Sequence, residues 1–215
     1  MFNLIRHELK YYFKNKSEAI YLYSYYISIL VLVPFTVSPE VMAQSNLATL
    51  ALWLALASAV AIGAQGLFRR DREQGLLEYY QLLPAPLELI VAAKWAAFYI
   101  FIMLPLLAAM PFAALWMNLS ATHLWHHAIG LAAGAAGLTV LSTLLAALLA
   151  GIEKAGALLS LLILPLSIPI LIFGADYCRN SASVSSGNLL LIVGFTVFML
   201  PIMCWAGASA IRNSN

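Results

Sequence analysis

Long apolar stretches alternate with short polar connections along the chain, and this pattern predicts a series of membrane-spanning helices. A helix needs about 20 mostly apolar residues to cross a hydrocarbon core roughly 30 Å thick. Six stretches have this length, at about residues 19–37, 46–68, 90–117, 127–150, 156–175 and 188–211. The pattern therefore predicts an all-α integral membrane protein with six transmembrane helices, forming a single membrane domain over residues 1–215.

Composition supports lipid as the surrounding of this protein. The chain is 63% hydrophobic and 9% charged, whereas about a quarter of the residues in a soluble domain are charged. So few charges cannot cover a soluble protein of this size. The net charge of +2 is also too small to indicate nucleic acid as a partner.

The first 18 residues, which we call the leader, carry too many charges to span a membrane. Their apolar side chains nevertheless recur at helical spacing, so an amphipathic helix is predicted. We expect this helix to lie in the membrane interface with its apolar face in lipid. The alternative is a soluble helix docked on the rest of the protein. The apolar face comprises Phe2, Ile5, Leu9, Tyr12 and Phe13.

The distribution of basic residues predicts the orientation of the chain. Cytoplasmic connections carry an excess of Lys and Arg, and six spans place both termini on the same side. With cytoplasmic termini, Arg179 is the one basic residue that faces outward. The other ten face the cytoplasm: Arg6, Lys10, Lys14, Lys16, Arg69, Arg70, Arg72, Lys94, Lys154 and Arg212.

The long inward connection at residues 69–89, here called the charged connection, is the main water-facing chemistry in this topology. Its sequence predicts a short surface helix with an apolar face, a bend at Gly75, and a stop at Pro84 and Pro86. A solvated loop that only sets topology is the alternative. Acidic residues contribute little to topology, yet four of them are present, so docking of another protein is favoured. The apolar face comprises Leu76, Leu77, Tyr80 and Leu83, and the acidic residues are Asp71, Glu73, Glu78 and Glu88.

The stretch LFRRDREQGLLEYYQLLPAPLELIVAAKW resembles the signature of the haem exporter B (CcmB) family, the permease of the cytochrome c maturation ABC transporter. A second similarity lies in the fifth span, LLSLLILPLSIPILIFGA, with its two spaced prolines. The leader and the six-span length agree as well. The matching elements of the first stretch are Phe68-Arg69, Asp71, Gly75, Leu77-Glu78, the Leu-Leu-Pro at 82–84, and Lys94.

This resemblance implies a set of partners in a bacterial inner membrane, in preference to an organellar one. The partners are a second copy of the chain in a homodimer, a CcmA-type ABC ATPase subunit, and CcmC- and CcmD-type subunits. ATP is expected to be bound by the ATPase, and haem to be the transported ligand, with no covalently bound cofactor. This chain contains no Gly-rich phosphate loop, so it is expected to be a non-catalytic subunit without catalytic residues.

By the same resemblance, the part of the chain from Phe68 to Pro84 is the coupling segment that contacts the ATPase. Polar contacts are expected from Arg69, Arg70, Asp71, Glu73 and Glu78. The full set of expected coupling residues is Phe68, Arg69, Arg70, Asp71, Glu73, Gly75, Leu76, Glu78, Leu83 and Pro84.

Two other functions remain open from the residues. In the first, the chain is a non-transporting scaffold, and ATPase strokes remodel a neighbouring haem-handling subunit to release a haem-loaded chaperone. In the second, the chain is a lipid or drug permease of the ABC-2 type, against which only the motif resemblance argues. An apolar cavity suits haem, lipid or neither, so the sequence does not separate these alternatives.

Two further groups of residues are candidates for contact with substrate. The first is His123, His126 and His127, because imidazole is a common haem ligand; the competing interpretation is a polar interface beside tryptophans, and the residues favour it. The second is Pro165 and Pro169, which predict either a hinge or substrate path or a static kink. No metal site is expected.

Overall fold

The computed structural model describes residues 5, 6, 8–10, 12, 16–37, 47–82, 86–116, 121–152, 155–179 and 185–213. Within these ranges the chain forms eight labelled helices, and the described leader residues are helical as well. The helices are α1 Lys16–Thr36, α2 Leu47–Ala64, α3 Arg69–Glu73, α4 Leu76–Leu82, α5 Leu87–Trp116, α6 Ala121–Leu148, α7 Ala155–Arg179 and α8 Ser185–Arg212.

The helices confirm an all-helical, multi-pass membrane protein. Among the described residues, five stretches are long and apolar enough to cross a membrane, and Ile20–Val33 in α1 is a shorter apolar helix. The orientation of the two termini stays a prediction. The five longer stretches are Leu47–Glu73, Leu87–Ala109, Leu124–Leu148, Gly156–Arg179 and Gly187–Arg212.

The charged connection contains two short helices where the sequence suggested one. α3 and α4 are separated by a turn at residues 74–75. Gly75 has a φ of 68°, a left-handed conformation that a residue without a Cβ atom adopts at little cost. The bend divides the connection into a first part that is rich in arginine and a second part that is rich in leucine and tyrosine.

α6 is the central helix of the bundle, because it packs against α2, α5, α7 and α8. The charged connection lies at the end of the bundle where α2 ends and α5 begins, and we call this end of the bundle the segment end. At the opposite end α6 begins with the predicted histidines; we call this the histidine end. Gln65 donates a hydrogen bond to Ser160 Oγ at 2.7 Å near the segment end, which links α2 to α7.

A tryptophan locks three helices together toward the histidine end. Trp53 of α2 is fully buried, and its ring lies against Gly134 of α6 and Gly174 of α7, where an added Cβ atom would collide with it. Small residues at helix interfaces allow this close approach. The glycines therefore form a slot that fixes α2 against α6 and α7.

A tyrosine on α1 donates a hydrogen bond to α5 beside a proline in the middle of that helix. Pro105 has no N–H group, so the carbonyl of Phe101, four residues earlier, lacks its usual helical donor. The hydroxyl of Tyr23 donates a hydrogen bond to this carbonyl at 3.2 Å. The bond supplies a donor to this carbonyl inside the membrane, and it ties α1 to α5.

Candidate functional site

The outer surface of the charged connection carries charges that are open to solvent. In α3, Arg69 Nε lies 3.5 Å from Glu73 Oε1, and the two side chains are 58% and 64% exposed. In α4, Glu78 and Tyr79 are exposed as well. This surface presents charges of both signs, which can complement a charged partner surface, together with one large aromatic ring, a residue type that is enriched at protein interfaces.

The inner surface of the same connection is anchored in the bundle. Phe68, just before α3, is buried, and so is Asp71. The carboxylate of Asp71 lies 2.8 Å from Nζ of Lys94, which sits about two helical turns into α5. An aromatic ring and a buried ion pair therefore hold α3 against the start of α5.

Lys94 is the centre of a larger cluster, here called the lysine cluster: Glu8, Phe68, Asp71, Tyr80 and Lys94. The lysine is 3% exposed, and its Nζ atom also lies 3.0 Å from Glu8 Oε1 of the leader. The same atom lies 5.6 Å from the ring centre of Phe68 and 5.7 Å from that of Tyr80. A buried ammonium is costly unless it is paired, and these carboxylates and ring faces supply that pairing.

Tyr80 remains a neutral phenol within the lysine cluster. Burial raises the pKa of Tyr80 to about 12, although the nearby ammonium of Lys94 acts in the opposite direction. The ring therefore contributes its face and its hydroxyl group, and no charge, at neutral pH.

The leader is docked on the bundle at this cluster. Tyr12 is buried and stacks on Phe101 of α5, with ring centres 4.7 Å apart. Leu9 packs against the core, while Arg6 and Lys10 are exposed. Among the described residues, one face of the leader therefore contacts the bundle, and the position of the leader in the membrane interface stays a prediction.

The second half of the charged connection is anchored to a different helix. Gln81 of α4 donates a hydrogen bond to the carbonyl of Ile211 near the end of α8 at 3.0 Å. Close by, Arg212 lies 4.0 Å from Glu88. A polar side chain that reaches the last turn of a helix bonds its terminal carbonyl groups, as Gln81 does here. The charged connection is consequently fastened to both α5 and α8.

A cleft of about 240 Å³ lies between the charged connection and the turn that joins α6 to α7. Arg69, Arg72 and Glu73 line one side of the cleft, and Leu149 and Ile152 belong to the other side. The two connections therefore form one continuous surface at the segment end, with charged and apolar groups side by side.

The structure separates the predicted coupling residues into two groups. Arg69, Glu73, Gly75 and Glu78 are exposed, whereas Phe68 and Asp71 face the bundle and contact residues of this chain. Arg70 and Leu76 are half-buried. Leu83 and Pro84 lie outside the described residues.

The sequence does not predict that Glu8, Tyr12 and Tyr80 meet at this site. It assigns Tyr12 and Tyr80 only to apolar helix faces, and Lys94 only to the topology and the family motif. A signal was available: Lys94 lies about two turns inside an apolar helix whose other charged residue, Glu88, is in its first turn, and charged residues inside such helices normally have a partner and a function. The identity of the partners was not readable, because Glu8 lies 86 positions away from Lys94 in the chain.

The histidine candidates lie at the other end of the bundle. His127 is 2% exposed, and its Nε2 atom shares a hydrogen bond of 2.8 Å with Thr49 Oγ1 of α2. The ring of His126 lies 6.2 Å from that of Tyr177, and the side chain of His123 is outside the described residues. Where the structure is described, no three His, Cys, Asp or Glu residues are placed to hold a metal ion.

The proline candidates belong neither to the lysine cluster nor to the histidine end. Pro165 and Pro169 lie within α7, and both side chains are exposed on the surface of the bundle. Their position is compatible with contact to lipid or to another membrane protein. Their role as a hinge or substrate path stays a prediction.

Comparison with known proteins relates the whole chain to one family. The family model described as CcmB protein matches residues 1–214. A protein named heme exporter protein B from Pseudomonas aeruginosa is 34% identical over 213 residues, which is 98% of this chain and 96% of that relative. A protein of the same name from Rhodobacter capsulatus is 35% identical over 192 residues, covering 88% of each chain. The Escherichia coli K12 protein of that name is 30% identical over 214 residues, covering 98% and 97%.

Proposed function

This chain belongs to the CcmB protein family, and on that premise we propose that it is the transmembrane permease subunit of an ABC transporter for c-type cytochrome biogenesis. A separate ATPase subunit binds and hydrolyses ATP. The permease converts the movement of that subunit into export of haem across a bacterial inner membrane. Support for the substrate and the location comes from the bacterial relatives named heme exporter protein B.

The observation that carries this proposal is the two-sided construction of the charged connection. Its outer side exposes Arg69, Glu73 and Glu78, while its inner side is anchored by the Asp71–Lys94 pair. A free loop would yield to a pushing partner without moving the helices behind it. An anchored pair of short helices transmits such a push.

The anchors indicate which helices receive the push. α3 is held to the start of α5 through Asp71 and Lys94, and α4 is held to the end of α8 through Gln81. When the ATPase subunits close on ATP, the charged connection is displaced, and α5 and α8 move with it as packed units. The Trp53 slot at the histidine end keeps α2, α6 and α7 together during this motion.

The complex in this proposal contains two copies of the chain, two ATPase subunits, and CcmC- and CcmD-type membrane subunits. Exposed apolar surface on α7 and α8 supports association with other membrane proteins. The buried share of the apolar span is 22% in α7 and 17% in α8, against 56–72% in the other three long spans. A second copy of the chain and lipid together cover this surface.

The proposal is tested with the triple variant Arg69→Ala, Glu73→Ala, Glu78→Ala in the assembled complex. We expect normal amounts of permease but reduced copurification of the ATPase subunit and reduced c-type cytochrome in cells. The matched control is Arg179→Ala, which removes an exposed arginine at the histidine end. Unchanged ATPase binding and unchanged cytochrome levels in the triple variant would contradict the docking function.

Haem movement requires its own experiment, because docking alone does not identify a cargo. The purified complex is reconstituted in vesicles with haem on the ATPase side, and a haem-binding reporter protein is placed on the other side. ATP-dependent loading of the reporter, lost in the triple variant, is the expected result. Loading of a partner chaperone from haem already held on the reporter side, with no transfer across the membrane, would instead support the scaffold function.

A further inference from the structure

Lys94 has more carboxylate partners than charge pairing requires. Asp71 alone, at 2.8 Å, would neutralise its ammonium group. Glu8, at 3.0 Å, adds a second carboxylate that is 17% exposed. Removing a carboxylate from water costs several kcal/mol before its interactions are counted, so the ion pair by itself gives no reason for the second acid.

The second carboxylate differs from the first in the element that carries it. Asp71 belongs to the charged connection, Lys94 to α5, and Glu8 to the leader. The cavity at this point is lined by all three and also by Arg70, so two acidic and two basic side chains contribute to its wall. Because the charges balance, the energetic cost of burying them is reduced. The cluster joins three separate segments at one ammonium group.

A second contact holds the leader in the same orientation. Tyr12 follows Glu8 by four residues, so both side chains lie on one face of a helix. Its ring stacks on Phe101 of α5 at a centroid distance of 4.7 Å. The leader is therefore attached to α5 at two points along its length, one by charge and one by ring packing.

From this geometry we propose that Glu8 is a positioning residue for the charged connection. Through Lys94 it joins the leader, α3 and the start of α5 into one mechanical unit, so that the leader belongs to the coupling machinery. The importance of this unit for transport rests on the proposed function. The existence of the unit does not, because it is a property of the permease alone.

The test is hydrogen–deuterium exchange of the permease in lipid nanodiscs, without the ATPase. For Glu8→Gln we expect faster exchange in both the leader and residues 69–82, by at least about threefold. Exchange in residues 139–148 of α6 should stay as in the parent, because the Asp71–Lys94 pair is still present and the fold is retained. A purely structural defect would raise exchange in α6 as well.

Two matched variants complete this experiment. Arg6→Gln removes an exposed charge from the same leader and should leave both regions at the parental exchange rate. Glu8→Asp keeps the carboxylate and should restore most of the protection that Glu8→Gln loses. Faster exchange of the leader alone in Glu8→Gln, or no change in either region, would overturn the inference.

A second measurement separates this inference from the proposed function. In the assembled complex, Glu8→Gln should retain the ATPase subunit but reduce stimulation of its ATP hydrolysis by the permease. If the parent permease neither binds nor stimulates the ATPase, the proposed function fails while the exchange result still decides the inference. If the parent stimulates the ATPase and Glu8→Gln does so equally, the inference fails and the proposed function stands.

Discussion

At the segment end, a buried lysine lies between carboxylates from two other elements, whereas at the histidine end a threonine and a histidine share one hydrogen bond beside a wedged tryptophan. The first arrangement joins the leader, the charged connection and α5. The second joins α2, α6 and α7. Both lie in the same bundle, yet they connect different kinds of segments.

The difference corresponds to what each end holds. The lysine cluster fastens the leader and the charged connection to α5 through one buried ammonium group, so a displacement of the charged connection also displaces α5. The Trp53 slot fastens membrane-spanning helices to one another through close packing, which tolerates little displacement. We infer that the segment end receives the movement and that the histidine end resists it.

The largest effect that distinguishes the two ends is expected from Lys94→Met. The change leaves the buried Asp71 and the half-buried Glu8 without the ammonium group that they share, at a cost of about 3–5 kcal/mol. Thermal unfolding of the purified permease should show a strongly reduced transition temperature, while Lys10→Met, an exposed control on the leader, should be close to the parent. Adding Glu8→Gln and Asp71→Asn to Lys94→Met should recover most of the stability but not ATPase stimulation; equal stability of Lys94→Met and the parent would refute the buried cluster.

A smaller loss is expected from Gly174→Ala at the histidine end. The new methyl group overlaps the ring of Trp53, and overpacking of this kind costs about 1–3 kcal/mol. Gly194→Ala is the matched control, because apart from the adjacent residues and the backbone of its own helix no heavy atom lies within 4 Å of the added Cβ position. Unfolding temperature is again the measurement, and equal behaviour of the two variants would show that the slot does not lock the helices.

The hydrogen bond at the histidine end is expected to contribute less. Thr49→Val keeps the shape of the side chain and removes the hydroxyl that meets His127 Nε2. Interhelical hydrogen bonds in membrane proteins contribute about 0.6 kcal/mol on average and at most about 1.7 kcal/mol. Thr36→Val, which alters an exposed hydroxyl on α1, is the control; a loss in Thr49→Val as large as in Lys94→Met would reverse the comparison between the two ends.

The smallest effect on stability should come from the exposed Arg69–Glu73 pair, although its effect on docking is expected to be clear. Glu73→Gln removes a surface pair at helical spacing, which contributes about 0.3–0.5 kcal/mol. The unfolding temperature should be almost unchanged, whereas binding of the ATPase subunit should weaken. The loss of binding should be larger at low salt, because surface charges are less screened there. Binding that is insensitive to both the substitution and the salt concentration would remove this pair from the docking surface.

The fold class and the concentration of charge in the charged connection were accessible from the sequence. The apolar stretches are long and nearly free of charge, so local composition alone predicts membrane helices. The motif between Phe68 and Lys94 likewise pointed to the family that the comparisons show. The roles of the individual acidic residues were not accessible, and the sequence assigned Asp71 and Glu73 to the same surface.

Asp71 and Glu73 illustrate why the roles of individual acidic residues were not accessible from the sequence. Two residues that are two positions apart on a helix point about 200° away from each other, so one can face the bundle while the other faces water. Which of them faces inward depends on how α3 is rotated against α5, and that rotation is set by the packing of Phe68 and Lys94. A family motif records that both positions are acidic without recording this rotation.

The sequence by itself determined that lipid surrounds this protein, where its long helices lie, and which connection carries the charge. Each of these properties depends on neighbouring residues along the chain, through burial of apolar surface and local hydrogen bonding. Only the tertiary structure decided that Glu8, Asp71 and Lys94 meet, and that Trp53 enters a slot between Gly134 and Gly174. Such contacts join residues far apart in the chain, and they exist only because whole helices pack in one particular arrangement.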